Sequence, residues 1–296
     1  MERIMIKIIG DSSCDMPACY EKEYNISIVP LTVEIDGKIY KDRIEITPAE
    51  FFEKLQSSKN FPKTSLAGPE LFLEQFRKAL EEGYDTIIAI TIPAVASGTH
   101  QAAKIAAEMM KEEAPQLDIT VVDSLYLCYP IAYMLIEAGR LAKEGASKQE
   151  ILDRVHYIQK HIDVYFTVDS LEYLRKGGRI SAAKAVLGTM LDLKPILTVR
   201  NGLVEQVENV RGEKKAMTRM VELIAEHKGE APFETVAIGH GTVPGKVEFI
   251  RKKLESVLGV TEDECFEVGV VIGAHAGPGF SAVFVINPEF TNDWVK

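Results

Sequence analysis

Cysteine is scarce in this 296-residue sequence, and the four present (Cys14, Cys19, Cys128, Cys265) form no C-x-x-C pair. That spacing excludes a structural zinc site and a disulfide framework, and reduced thiols in a cytoplasmic protein are the expectation. No apolar run approaches the roughly 20 residues of a membrane-spanning helix. The opening MERIMIKIIGDSS breaks its apolar stretch at Lys7 and carries no small-residue cleavage site, so it reads as a first β-strand rather than a signal peptide. Positive charge is also short. A formal net charge of −10 argues against nucleic acid as the main partner, because neutralising phosphates needs a basic surface.

Familiar catalytic signatures are missing as well. There is no G-x-S-x-G elbow, no H-E-x-x-H or other paired metal-ligand motif, and no kinase catalytic set. The stretch GTVPGKV (241–247) resembles a phosphate loop only superficially, since its spacing is wrong and Val247 stands where a magnesium-holding Ser or Thr is needed. ATP binding is therefore not expected of this chain by itself.

What is present is ordinary globular material, 46% hydrophobic and 26% charged, long enough for two cores. In the first half, short apolar strands (IMIKII, TIIAITI, DITVV) alternate with amphipathic helices, the pattern of a parallel sheet covered on both faces. Thr47 and Glu50 form a capping box around Pro48, and PLTVEIDGKIY carries an Asp-Gly hairpin signal. After Ser147 a second capped helix links to strands mixed with hairpins, one turning at Arg200-Asn201-Gly202. The expectation is an α/β fold. An N-terminal α/β sandwich with a mostly parallel sheet spans 1–160, with a small hairpin-containing insertion near 30–62. A C-terminal α+β domain spans 161–296, with a ligand crevice between the two.

Three apolar strands run into Asp-Ser: Asp11-Ser12, Asp123-Ser124 and Asp169-Ser170. Ligands in open α/β sheets bind beyond strand carboxyl ends, which makes Asp11, Ser12, Asp123 and Ser124 crevice candidates. The same residue types are preferred helix N-caps and need no ligand. Ser97-Gly98-Thr99 opens a helix after a strand, where free N–H groups and two hydroxyls suit an anion. Thr64 and Ser65 form a second hydroxyl cluster, and His275 stands in the glycine-bounded turn GAHAGPG. Residues 174–219 hold ten Lys/Arg against four Asp/Glu, a basic stretch fit either for phosphate or an acidic partner or for plain solvation.

These segments together carry a likeness. GDSSCDM, KTSLAGP, SGTHQAA, VVDS, YLRKGGRI, LKPILTV followed by VRGEKKA, and GAHAGPG occur in the order found in DegV-family proteins, and the resemblance spans essentially the whole chain. It implies a fatty acid held between the two domains and a role as the lipid-binding subunit of a bacterial fatty acid kinase. A separate ATP-dependent subunit would phosphorylate the carboxylate, and the acyl phosphate would enter phospholipid synthesis. It further implies that Thr64, Ser65, Ser97, Gly98, Thr99 and His275 meet the long-chain fatty acid's carboxylate, and that Arg179 and Arg211 face the kinase or the transferred phosphate. No metal or resident cofactor is implied, and at most transient contact with a membrane surface.

The sequence also departs from the family pattern. Gly10 precedes Asp11 where threonine is usual, Leu66 follows the Thr-Ser pair, and Ala96 precedes Ser97. Bulky Tyr126, Tyr129 and Pro130 follow VVDS, and Phe280 and Ser281 stand in another usually small stretch, which would shorten or bend the bound chain if they line the tunnel. Two alternatives remain at this level: a serine-dependent esterase or acyl-phosphate hydrolase using Ser97 with His275, and a carrier of a different small apolar acid.

Overall fold

The computed structural model describes residues 5–180 and 193–295. Its first half runs β1 (Ile6–Asp11), α1 (Ala18–Glu23), β2 (Ser27–Val29), β3 (Thr32–Ile35), β4 (Lys38–Lys41), α2 (Pro48–Ser57), β5 (Lys63–Ser65), α3 (Pro69–Glu81), β6 (Thr86–Thr91), α4 (Thr99–Glu113), β7 (Asp118–Asp123), α5 (Tyr129–Glu144) and α6 (Lys148–His161). Strands β2-β1-β6-β7 form a parallel sheet. Every residue of β1 and β6 is buried, as the continuous apolar runs require of strands covered on both faces. On one face Phe72, Phe76, Ala103 and Ala106 of α3 and α4 pack on Ile9, Ile87 and Ala89. On the other, α5 packs on Ile8, Ile88 and Ile90. A side chain at Gly10 would collide with Leu135 of α5, which explains glycine at that strand position.

The second half runs β8 (Ile162–Thr167), α7 (Glu172–Lys176), β9 (Leu193–Arg200), β10 (Leu203–Arg211), α8 (Glu213–His227), β11 (Thr235–His240), α9 (Pro244–Leu258), β12 (Glu264–Glu267), α10 (Val270–Ala276) and β13 (Ser281–Ile286). Its sheet has the order β10-β9-β8-β13-β11-β12, antiparallel apart from β11 and β12. Strand periodicity sorts its residues between two cores. Val283 and Val285 of β13 join Met217, Met220 and Ile250 under α8 and α9, while Ala282, Phe284 and Ile286 face the first half of the chain. The fold is thus α/β with a parallel sheet and an α+β half, as the sequence suggested.

A small antiparallel sheet, β4-β3-β5, completes the frame. Its hairpin turns at Asp36 and Gly37, both with positive φ (49° and 78°), as an Asp-Gly two-residue turn demands. Both capping boxes form, at Thr47/Glu50 and Ser147/Glu150. The sequence pattern did not indicate β12 or α10, and α10 is a helix where a glycine-bounded turn was expected. Gly273 lets α10 approach Phe51 and Phe52 of α2, since a Cβ there would lie 2.7 Å from the Phe52 ring. No helix of the described residues is long and apolar enough to cross a membrane.

Candidate functional site

A cavity of about 340 Å³ lies between the six-stranded sheet and the first half of the chain. Its floor is the inward face of that sheet: Val204, Val199, Val164, Phe166, Ala282 and Phe284. Its roof comes from Leu127, Cys128 and Pro130 before and at the start of α5, and from Val271, Ile272 and Ala276 of α10. Apart from the Cys128 thiol, the polar side chains of the wall gather at one end. Thr64 and Ser65 arrive on β5, Ser97 and Gly98 precede α4, His275 lies in the last turn of α10, and Arg179 follows α7.

Thr64 Oγ1 and His275 Nε2 are hydrogen-bonded at 2.9 Å. His275 Nδ1 is buried and has no hydrogen-bond partner. Loss of hydration, aided by the Arg179 charge, pulls the imidazole down to about 4, so it is neutral near pH 7. Gly177 makes this placement possible, because a Cβ there would collide with Nδ1. A neutral imidazole has one donor and one acceptor nitrogen and can adjust to a hydroxyl or a carboxylate beside it.

Ser97 Oγ bonds to Thr99 Oγ1 at 2.9 Å, and Thr99 Oγ1 accepts from Ala67 N–H at 3.4 Å. Thr99 is fully buried behind Ser97 and off the cavity wall, so it fixes the Ser97 hydroxyl and ties the β5–α3 connection to the start of α4. Gly98 is the N-cap of α4, has no side-chain cap, and is exposed on the cavity wall. Arg179 donates from Nε to Ala96 carbonyl oxygen at 3.1 Å and from Nη1 to that of Gly177. These bonds fix its guanidinium beside His275 at the polar end. Ser97 and His275 therefore have different partners, and no nucleophile–base hydrogen bond joins them.

The Asp-Ser pairs sit elsewhere. Asp11 is wholly buried and accepts from Ser13 N–H (3.0 Å) and Ile92 N–H (2.7 Å), tying β1 to the end of β6, while burial pushes its carboxyl up. Ser12 accepts from Leu31 N–H at 3.0 Å. Asp123 accepts from Ala94 N–H (3.1 Å) and Leu125 N–H (3.0 Å), and Ser124 donates to Tyr126 carbonyl oxygen at 3.0 Å. None of these four is on the cavity wall; their oxygens hold backbone donors or shape turns. Arg211 is exposed at the end of β10, also off the wall. Of the basic stretch 174–219, residues 181–192 lie outside the described residues. Elsewhere in it, Lys176, Lys194 and Arg219 pair with Glu172, Asp169 and Glu208.

Sequence reasoning passed over several wall residues. Cys128 lines the cavity and donates its thiol to Asp15 Oδ2 at 2.8 Å, and Phe266 on β12 closes one side. Of the bulky departures, Pro130 and Phe280 are on the wall, whereas Tyr126 and Tyr129 pack behind it.

Known proteins share this architecture. The profile described as "uncharacterised protein, DegV family" matches residues 5–288. A DegV domain-containing protein of Caldanaerobacter subterraneus is 36% identical over 279 residues, covering 94% of this chain and 98% of its own. One from Streptomyces coelicolor is 35% identical over 281 residues, covering 95% and 98%. Among solved structures, a fatty-acid-binding DegV family protein from Thermus thermophilus superposes with a TM-score of 0.87 at 34% identity, covering 96% of this chain and all of its own. A stearic acid-binding protein from Eubacterium ventriosum gives 0.89 at 28%, covering 96% and 99%. DegV of Bacillus subtilis, a fatty acid binding protein, gives 0.83 at 27%, covering 96% and 100%. With a profile match along nearly the whole sequence and relatives above 30% identity at nearly full coverage, this chain belongs to the DegV family.

Proposed function

We propose that this protein binds a long-chain fatty acid in the cavity and presents its carboxylate to a separate ATP-dependent kinase, which forms the acyl phosphate used in phospholipid synthesis. One observation carries the reading: a largely apolar cavity has its polar wall side chains, apart from the Cys128 thiol, gathered at one end. Burying an acyl chain gains about 0.8 kcal/mol per CH₂, so the apolar floor and roof supply affinity. A carboxylate cannot follow the chain inside without hydrogen-bond donors. Thr64, Ser65, Ser97, the Gly98 backbone and neutral His275 offer donors that carry no fixed charge, and they tolerate a carboxylate or an acyl phosphate alike. Arg179 adds the one formal positive charge on the wall among the described residues, placed for the phosphate. Exposed Arg211 is assigned to the kinase surface. The fatty-acid-binding relatives support the lipid half of this reading.

The test uses purified protein. Mass spectrometry after denaturation is expected to release a long-chain fatty acid, and delipidated protein is expected to rebind one with a rise in melting temperature. His275→Ala is expected to weaken rebinding about tenfold, the loss of one hydrogen bond to a charged group. With the cognate kinase and ATP, acyl phosphate should form on wild type and slow sharply on Arg179→Ala. A different co-purified acid, or absence of any lipid-dependent thermal shift, would overturn the reading. Acyl-phosphate formation by this chain and ATP without a kinase would overturn the division of labour.

A further inference from the structure

We infer that the Phe266 ring, folded inward from the sheet edge over Gly239 and clamped by Tyr129, is the end wall of the cavity and sets the longest acyl chain it accepts. The inference rests on the fatty-acid reading above and specifies the substrate within it.

The head end is fixed by Arg179 and His275. Ile180, next to Arg179, bridges to Val204 on β10, the first strand of the sheet order. Phe266 is on β12, the last strand of that order. Five inter-strand steps separate the two edges, about 24 Å at roughly 4.8 Å per step. Helix α10 gives the same polarity, since it begins just after β12 and reaches His275 only in its last turn. A chain with its carboxylate at His275 therefore points its methyl end toward Phe266.

The ring is held there by three features. Gly239 is its register partner on β11, and a Cβ at that position would collide with the ring, so glycine is what lets Phe266 lean over β11. Tyr129 stacks on the ring with centroids 4.5 Å apart and planes 10° from parallel. The Tyr129 hydroxyl donates to Glu264, two residues before Phe266 and on the same face of β12. Tyr129 also meets Phe284 edge-on at 5.7 Å, so the three rings form one closed corner. Phe266 is 3% exposed, although it is on an edge strand.

Beyond the ring lies a second, more open cavity of about 600 Å³, bordered by Asp15, Asp42 and Arg43, and Phe266 belongs to both walls. The ring is thus the partition between the first cavity and a more open one that has charged side chains on an otherwise largely apolar wall. Cys128, on the acyl side, donates to Asp15 on the wall of the second cavity and closes the partition beside the ring. Removing the ring joins the two spaces and gives a longer chain somewhere to go.

The experiment measures affinities of delipidated wild type, Phe266→Ala and Phe266→Leu for dodecanoic, hexadecanoic, octadecanoic and docosanoic acids. The readout is the ratio of docosanoic to dodecanoic affinity within each protein. That ratio is expected to rise about tenfold or more in Phe266→Ala and by a smaller factor in Phe266→Leu. Phe266→Leu keeps an aliphatic side chain at the corner and carries the test should the alanine variant fail to fold. Unchanged ratios in folded variants would overturn the end-wall role while leaving fatty-acid binding intact. Failure of wild type to bind any of the four acids would instead overturn the reading on which the inference rests.

Discussion

A histidine buried against an arginine gives up its proton, and that turns His275 from a charge into an adaptable hydrogen-bonding ring. Its residue type and those of Thr64, Ser65 and Ser97 were conspicuous in sequence, and the fold brings them to one end of the cavity. Asp11 and Asp123 were equally conspicuous and are used differently. Each stands at a strand end where its oxygens reach the N–H two residues on and another across the sheet. Sequence cannot separate these uses, because a capping oxygen and a ligand-facing oxygen need the same short polar side chain. Asp15 gave no signal at all, since its character comes from burial. Stripped of water and set near Asp42, its carboxyl rises to about 8, despite the Cys128 thiol, the Gly269 backbone and Arg43 acting the other way. The folded state therefore holds a proton that the unfolded chain releases near pH 4, so this group's stabilisation is full below pH 4 and lost as pH rises toward 8. Asp15→Asn removes that loss. Relative to wild type, the variant is expected to gain stability between pH 5 and 8, by at most about 1.4 kcal/mol per unit, and to level off above. Urea unfolding at pH 5, 6.5, 8 and 9 checks this; a constant difference would show that Asp15 is charged in the fold.

Elements were legible where a local rule operates. The two capping boxes, the Asp36-Gly37 hairpin and the Asn201-Gly202 turn are each settled within a few residues, and all form. Helix α10 was not legible, because its glycines read as turn residues when considered alone. In the fold they serve proximity instead. Gly273 admits the α2 phenylalanines, and Gly277 ends the helix at φ 77°. The same need for proximity acts across elements at Gly177, the C-cap of α7. Its backbone is right-handed helical (φ −74°, ψ −14°), so alanine costs nothing in conformation. The main obstacle is His275, whose Nδ1 occupies the space a methyl would take; the Tyr173 carbonyl oxygen, 3.2 Å from that position, is the lesser one. Gly177→Ala is accordingly expected to push the imidazole off Thr64. Fatty acid affinity should fall about tenfold, while the melting temperature of the delipidated protein moves by only a few degrees, about what 1 kcal/mol or less produces. Full affinity in a soluble Gly177→Ala protein would mean that the Thr64–His275 bond is not needed to hold the carboxylate. Collapse of the fold would mean that α7 and α10 lack room to adjust.

At the scale of the molecule, the alternation of apolar strands and helices revealed two differently built halves, but not how the chain's last residues fasten them. After β13 the chain turns back across α6. Asn292 N–H donates to Lys160 carbonyl oxygen at 2.8 Å, and its side-chain amide donates to Ile162 carbonyl oxygen at 2.7 Å and to the Tyr126 hydroxyl at 2.8 Å. Tyr126 in turn donates to Gln159 carbonyl oxygen (3.1 Å), and Gln159 Nε2 to that of Asp123 (2.8 Å) at the end of β7. Trp294 packs against the Tyr126 ring at 5.5 Å. One buried amide thus connects the parallel sheet, the linking helix and the first strand of the second sheet, and these contacts span 130 to 166 residues of sequence, beyond any local pattern. Tyr126, bulky where small residues are usual in the family, belongs to this fastening and not to the cavity. Replacing Asn292 with alanine leaves the Ile162 carbonyl and the Tyr126 hydroxyl buried with fewer partners. The expected cost is about 2–3 kcal/mol, read as a lower urea midpoint at unchanged slope. Because Asn292 does not border the cavity, saturating fatty acid should raise the midpoint of the variant as much as that of wild type. A variant that loses the lipid-dependent rise would show that the C-terminal fastening also shapes the binding cavity. One with a wild-type midpoint would show that the halves are held by their shared apolar core without it.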